Sequence, residues 1–151
     1  MEVIDERKPI RLPNHVEQLR VRFSDCDAGK IVHHSNLFRW LEEARLGLLR
    51  AIGVSYRSIE KDGIHFPLTA CSATFSRPLK SEDQIEISLW LRRLSRARME
   101  FYYEIALNDD VAATATTNHA IINDEGRPIR LERDSDLWMR LSTVLGSDDT
   151  Q

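Results

Sequence analysis

The ten residues from Asp25 to His34, DCDAGKIVHH, bring together two aspartates, two histidines and a glycine. Carboxylates and imidazoles move protons near neutral pH, and an aspartate can act on an electrophilic carbon either as nucleophile or as general base. Immediately downstream, Ser35 and Asn36 open a stretch with helical periodicity. The unpaired N–H groups and positive dipole end of a helix start can hold a developing oxyanion, and His34, Ser35 and Asn36 occupy that position. Taken without wider context, Asp27 is a loop aspartate bonded to nearby backbone N–H groups. No metal is expected here, because adjacent histidines in an extended segment point to opposite faces and no further ligand has suitable spacing. Cys26 and Cys71 lack the paired spacing of a zinc site and are expected to be reduced thiols; Asp25 and Asp27 beside Cys26 disfavour a thiolate nucleophile.

The elements that must position this chemistry flank it. Leu19, Val21 and Phe23 alternate with Arg20, Arg22 and Ser24, which predicts a half-buried strand that delivers Asp25 to Asp27 at its end. Leu37, Trp40, Leu41, Ala44, Leu48 and Ile52 then recur as one face of a helix, with Ser35 or Asn36 as its cap and Gly53 at its close. Arg45 falls inside the apolar arc, whereas Arg39, Glu43 and Arg50 fall on the polar side. A guanidinium placed there must reach an acid, a carbonyl or a ligand. It either snorkels past the core edge, pairs with Glu42, or anchors the loop that carries Asp27.

After a short helical turn at Tyr56–Glu60, period-two patterns over Leu68–Ser76, Ile85–Leu91, Met99–Leu107 and Val111–Ile122 predict four strands in an antiparallel meander. Asp134 or Ser135 caps a last short helix that carries Leu137 and Leu141. The fold class is therefore α+β, a single curled antiparallel sheet wrapped around one long central helix. The chain has 151 residues and 42% apolar content, enough for one domain with its own core. Residues 1–15, charged and bearing two prolines, are read as a mobile or loosely docked arm; 16–146 form the domain and 147–151 a tail. A formal charge of -3 gives no basic field for nucleic acid. Neither a membrane span nor a secretory leader is visible, so a cytoplasmic location is expected.

The segment DCDAGKIVHHSNLFRWLEEAR resembles the signature of the 4-hydroxybenzoyl-CoA thioesterase family, hotdog-fold acyl-CoA thioesterases; looser similarity extends over residues 16 to 140. The resemblance implies the hotdog fold and a thioester hydrolase that needs no cofactor. By this match, Asp27 is the catalytic carboxylate, Asp25 a motif position without the chemistry, His34 the residue whose backbone N–H polarises the thioester carbonyl, and Arg45 a recurrent helix arginine. Lys30 stands where the family has glycine, and Leu37 where it has tyrosine. Coenzyme A brings phosphates, and the arginines around the turn at 92–98 offer cations, with Arg96 and Arg98 on one side and Arg96 nearest a family CoA contact. Two other readings share the fold: an acyl hydratase or dehydratase using Asp27 with His33 or His34, and a non-catalytic acyl-CoA binding protein. The resemblance also implies a homodimer or homotetramer, since a curled sheet leaves an edge to pair.

Overall fold

The helix predicted from Leu37 onward is α1, His34–Ala51, and it buries Leu37, Trp40, Leu41, Ala44, Gly47 and Leu48. The structure is a computed structural model that describes residues 7–145. Residues 1–6 of the arm and the tail at 147–151 lie outside it. Around α1 curls one sheet of β1 (His15–Arg20), β2 (Leu68–Phe75), β3 (Gln84–Leu94), β4 (Arg98–Leu107) and β5 (Asp110–Ala120), with α2 (Tyr56–Lys61) and α3 (Asp136–Leu145) beside it. All pairings are antiparallel. The core lies between the apolar stripe of α1 and the concave sheet face, where Ile85, Ile87, Leu89 and Leu91 of β3 and Phe101, Tyr103 and Ile105 of β4 are buried. Each such aliphatic side chain contributes about 1.5–3 kcal/mol by leaving water, which is why the wrapping sheet fixes the helix.

Two expectations about the strands are corrected. The strand order is β1-β3-β4-β5-β2, so β3, β4 and β5 form a meander but β2 lies on the far side of β5. The link from Ser76 to Asp83 makes no hairpin. Its Leu79 is buried, and the Leu79 carbonyl accepts from the Val32 N–H at 2.8 Å, so the link is drawn across the end of the helix layer. The edge of β3 is left to β1, in the register His15 to Leu89 and Leu19 to Ile85. By contrast, β4 and β5 meet through Asn108 and Asp109, both at positive φ (51° and 67°), the left-handed pair that a two-residue hairpin turn wants.

The strand read over Leu19–Phe23 ends at Arg20, and Phe23–Asp25 form a single 3-10 turn. Asp25 causes this, because its carboxylate accepts from the Arg22 N–H at 2.8 Å and closes the turn on itself. Phe23, which alternation would bury, is 86% exposed.

From Arg11 onward the arm is held along β3. The Asn14 side-chain oxygen accepts from the Leu91 N–H at 2.8 Å, and the Trp90 indole donates to the Arg11 carbonyl at 2.8 Å. The helix ends follow local chemistry as read: Gly53 takes φ +80° after α1, and Ser135 Oγ accepts from the Trp138 N–H at 3.2 Å to cap α3.

Candidate active site

The start of α1 is built by His33, not by Ser35 or Asn36. His33 is extended, and its Nδ1 accepts from the Ser35 N–H at 3.2 Å and lies 2.7 Å from Ser35 Oγ. Asn36 works in the other direction, its side-chain amide donating to the Asp25 carbonyl at 2.8 Å, which also takes the His33 N–H at 2.9 Å. Asp25 thus ties the 3-10 turn to the helix with its carboxylate and carbonyl together. The rings of His33 and His34 stack, 4.2 Å between centroids, rather than diverging, because one is the cap and the other the first helical residue.

Asp27 sits in the tight loop between. Its Oδ1 accepts from the Gly29 N–H at 2.8 Å, and its own N–H donates to the Ile31 carbonyl at 2.9 Å. The loop closes because Lys30 adopts φ +63°, a left-handed conformation that glycine takes without strain. This explains why a glycine is usual at that position in the family it resembles. Lys30→Gly is therefore expected to raise stability by about 0.5 kcal/mol, relief of left-handed strain outweighing the extra freedom of the unfolded chain. Urea unfolding of the two proteins checks it, and a less stable variant would show that the lysine side chain holds the loop.

A cleft of about 410 Å³ opens beneath Asp27, and His34 lines it as well. Its other walls are mostly apolar, from Ile31, Leu37, Trp40, Phe75 and Leu79. Among the described residues the second carboxylate oxygen of Asp27 and the backbone N–H of His34 have no hydrogen-bond partner. The predicted pair thus comes together on one cavity. Leu37, at the position where tyrosine is usual, is buried and turns the cleft floor apolar.

Sequence patterning did not single out Phe75 and Arg77 as site residues, yet they line the same cleft. Arg77-Pro78 carried only the signal of a turn; its approach to Asp27 depends on the path of the β2–β3 link. The Arg77 guanidinium is exposed and 3.0 Å from Asp110.

Arg45 is not brought to Asp27. It lies on α1 eleven residues beyond His34, about 16 Å along the axis, and lines a different cavity. Nor does it pair with Glu42. Its Nη1 donates to the Tyr103 hydroxyl at 2.9 Å, which is 2.8 Å from Thr117 Oγ1, itself 3.0 Å from His119 Nε2; His119 Nδ1 is 3.1 Å from the Phe66 carbonyl. One arrangement of protons satisfies the whole chain. The carbonyl can only accept, so Nδ1 carries hydrogen, Nε2 accepts from Thr117, Thr117 accepts from Tyr103, and Tyr103 accepts from Arg45. Burial, and then the charge of Arg45, push His119 down to about 4, so the ring is neutral as the chain requires. Burial likewise raises the Tyr103 hydroxyl.

Arg96 and Arg98 sit at the far end of the sheet. Arg96 Nε donates to the Leu131 carbonyl at 2.5 Å, and Arg98 opens β4 opposite Ala120, whereas the Asp27 cleft touches β5 at Ala113, opposite Ile105. Most of the length of β4, roughly 25 Å, separates them within one chain. Arg92 is taken up by a buried ion pair with Glu100.

The profile of the thioesterase-like superfamily matches residues 21–142. The 1,4-dihydroxy-2-naphthoyl-CoA hydrolase of Synechococcus sp. (strain CC9311) is 33% identical over 136 residues, covering 84% of this chain and 90% of that one. Among solved structures, the DHNA-CoA thioesterase of Staphylococcus aureus superposes with a TM-score of 0.81 at 28% identity, over 86% of this chain and 89% of its own. A Thermus thermophilus protein also reaches 0.81 at 28% identity, over 86% of this chain and 98% of its own. With that profile spanning the strand-to-helix loop, α1 and strands β2 to β5, and with one curled sheet around one helix, the chain is a hotdog-fold enzyme that belongs to the thioesterase-like superfamily.

Proposed function

We propose that the protein hydrolyses an aromatic or aliphatic acyl-CoA thioester to the free acid and coenzyme A, with Asp27 and the N-terminus of α1 as its machinery. The observation that carries this reading is that, among the described residues, Asp27, with one carboxylate oxygen unpaired, and His34, with its backbone N–H unpaired, line one mostly apolar cleft. The thioester oxygen is directed at the His34 N–H, where charge growing on it meets the positive end of an 18-residue helix. The free oxygen of Asp27 then acts by one of two routes. As base it takes a proton from water while the water oxygen bonds the carbonyl carbon; the C–S bond breaks and the thiolate leaves with the proton. As nucleophile it bonds that carbon itself, expels the thiolate, and leaves a mixed anhydride that water opens. Label found in Asp27 after a single turnover in ¹⁸O-water would establish the anhydride route, since only that route, with water attacking the Asp27 carbonyl, can place it there.

Commitment of His33 to the helix cap takes that histidine out of the Asp–His proton shuttling of hydratases that share the fold, leaving His34 as the histidine such a reading would need. The deciding experiment measures thiol release from a panel of naphthoyl-, hydroxybenzoyl- and straight-chain acyl-CoAs. Hydration without thiol release would reassign the chemistry, and tight binding with neither would make this a carrier. The relatives named above that act on 1,4-dihydroxy-2-naphthoyl-CoA, together with the rings of Trp40 and Phe75 in the cleft, favour the aromatic members of the panel.

The assembly follows from the edges. Among the described residues β2 pairs only with β5, and Leu68 and Phe75 at its two ends are 49% and 54% exposed. An antiparallel pairing of two β2 edges about a twofold axis would set the Leu68 end of one copy against the Phe75 end of the other. That carries the Arg96 and Arg98 end of one copy toward the Asp27 cleft of its mate, where coenzyme A phosphates need cations, with Arg77 already at the mouth. A dimer or larger assembly is expected by light scattering, and a stable, active monomer at micromolar concentration would overturn this part of the reading.

A further inference from the structure

The polar chain of α1, β4 and β5 ends on a cavity of about 70 Å³. Its walls are apolar over most of their area, from Leu48, Leu49, Phe66, Met99, Phe101 and Leu141, and it is distinct from the Asp27 cleft, with which it shares no lining residue. Two polar groups of the chain face it, Arg45 and His119. A guanidinium carries five N–H donors, and among the described residues that of Arg45 meets one acceptor, the Tyr103 hydroxyl. Nothing inside the cavity supplies the opposite charge. His119 has both nitrogens engaged, Tyr103 is aimed at Thr117, and the nearest carboxylate on the lining is that of Glu42, exposed on the rim and not paired with Arg45.

Arg45 is half-buried, so its spare donors at the cavity are left to water until an anion completes them. The geometry points to a second binding site, in which Arg45 receives a small carboxylate. The planar fork of arginine matches the two oxygens of a carboxylate, and the neutral His119 ring brings no competing charge. Size favours a short aliphatic acid: the volume is near half the roughly 150 Å³ of a cavity that takes a benzene ring.

The test uses acetate as probe, with no thioester present, so its outcome is independent of the proposed hydrolysis. The ¹⁵N-labelled full-length protein is titrated with sodium acetate against sodium chloride at constant ionic strength, following the Arg45 Nε–H cross-peak. The expected result is a saturable shift with a millimolar Kd, absent with chloride, absent in Arg45→Met and retained in Asp27→Asn. Glu42→Gln, which removes the rim carboxylate without touching the fold's interior, should tighten acetate about two- to fivefold. No saturable shift in the native protein, or the same shift with chloride, would overturn the site even if Arg45→Met failed to fold. Weaker binding in Glu42→Gln would also overturn it, because the rim carboxylate would then be assisting rather than competing.

Discussion

Asp27→Asn is expected to lower kcat by about 10²-fold or more while changing KM little. The substitution keeps the shape of the side chain, and its amide oxygen can still accept from the Gly29 N–H that now bonds Oδ1, so the loop should survive. What disappears is the negative charge of a side chain that lines the cleft and, among the described residues, keeps one oxygen unpaired. An amide is neither a useful base for water nor a nucleophile, whereas in the proposed reading substrate binding rests on the cleft walls and on cations elsewhere. The neighbouring Asp25→Asn supplies the contrast. Its carboxylate closes the 3-10 turn on the Arg22 N–H, so that change should appear in the unfolding midpoint and cost much less turnover. Steady-state kinetics of both variants on the best acyl-CoA of the panel decides the matter. Equal losses in kcat from the two, or near-native hydrolysis by Asp27→Asn, would take the chemistry away from Asp27.

The second large effect concerns pH. His119 is buried, and burial together with Arg45 holds it near 4 against an ordinary value of 6.5. In the unfolded chain the imidazole protonates as pH falls through about 6.5; in the folded chain it stays neutral down to about 4. Between those limits the unfolded state binds the extra proton, so stability from this group is complete above 6.5 and is lost as pH falls toward 4. By pH 5 the expected loss is about 2 kcal/mol relative to pH 7.5, from one residue. Protonation would also break the polar chain, because Nε2 could no longer accept from Thr117. Urea unfolding at the two pH values measures it. His119→Gln lowers stability at both pH values but should remove most of the difference between them; an unchanged difference would mean that other groups carry the acid sensitivity.

Several features were legible because their causes are local. The apolar stripe of α1, the left-handed residue at Gly53 and the Ser135 cap each depend on residues within a turn or two. The loop at Asp27 belongs with them. Its Asx bond to Gly29 and its closure at Lys30 involve four consecutive residues, so the signature could be read along the chain. Even there, competition between neighbours was harder to read: His33, Ser35 and Asn36 can all cap a helix, and the choice fell to His33 because the Asp25 carbonyl had claimed the Asn36 side chain.

Placement across the sheet was another matter. Alternation identifies β2 as a strand but says nothing of which edge it joins, because β1 and β2 both have apolar faces to bury and the burial of Leu79 draws the link past β3. That choice put Phe75 and Arg77 on the Asp27 cleft and moved Arg96 and Arg98 to the opposite end. Arg45 shows the same division. Helical periodicity alone placed a charge inside the apolar arc and required a partner for it, while the partner, a tyrosine hydroxyl 58 residues away, came from the strand that the tertiary fold laid across the helix. A period of 3.6 or 2 is set by backbone geometry within a few residues, whereas a contact between α1 and β4 is set by which distant apolar faces exclude water together.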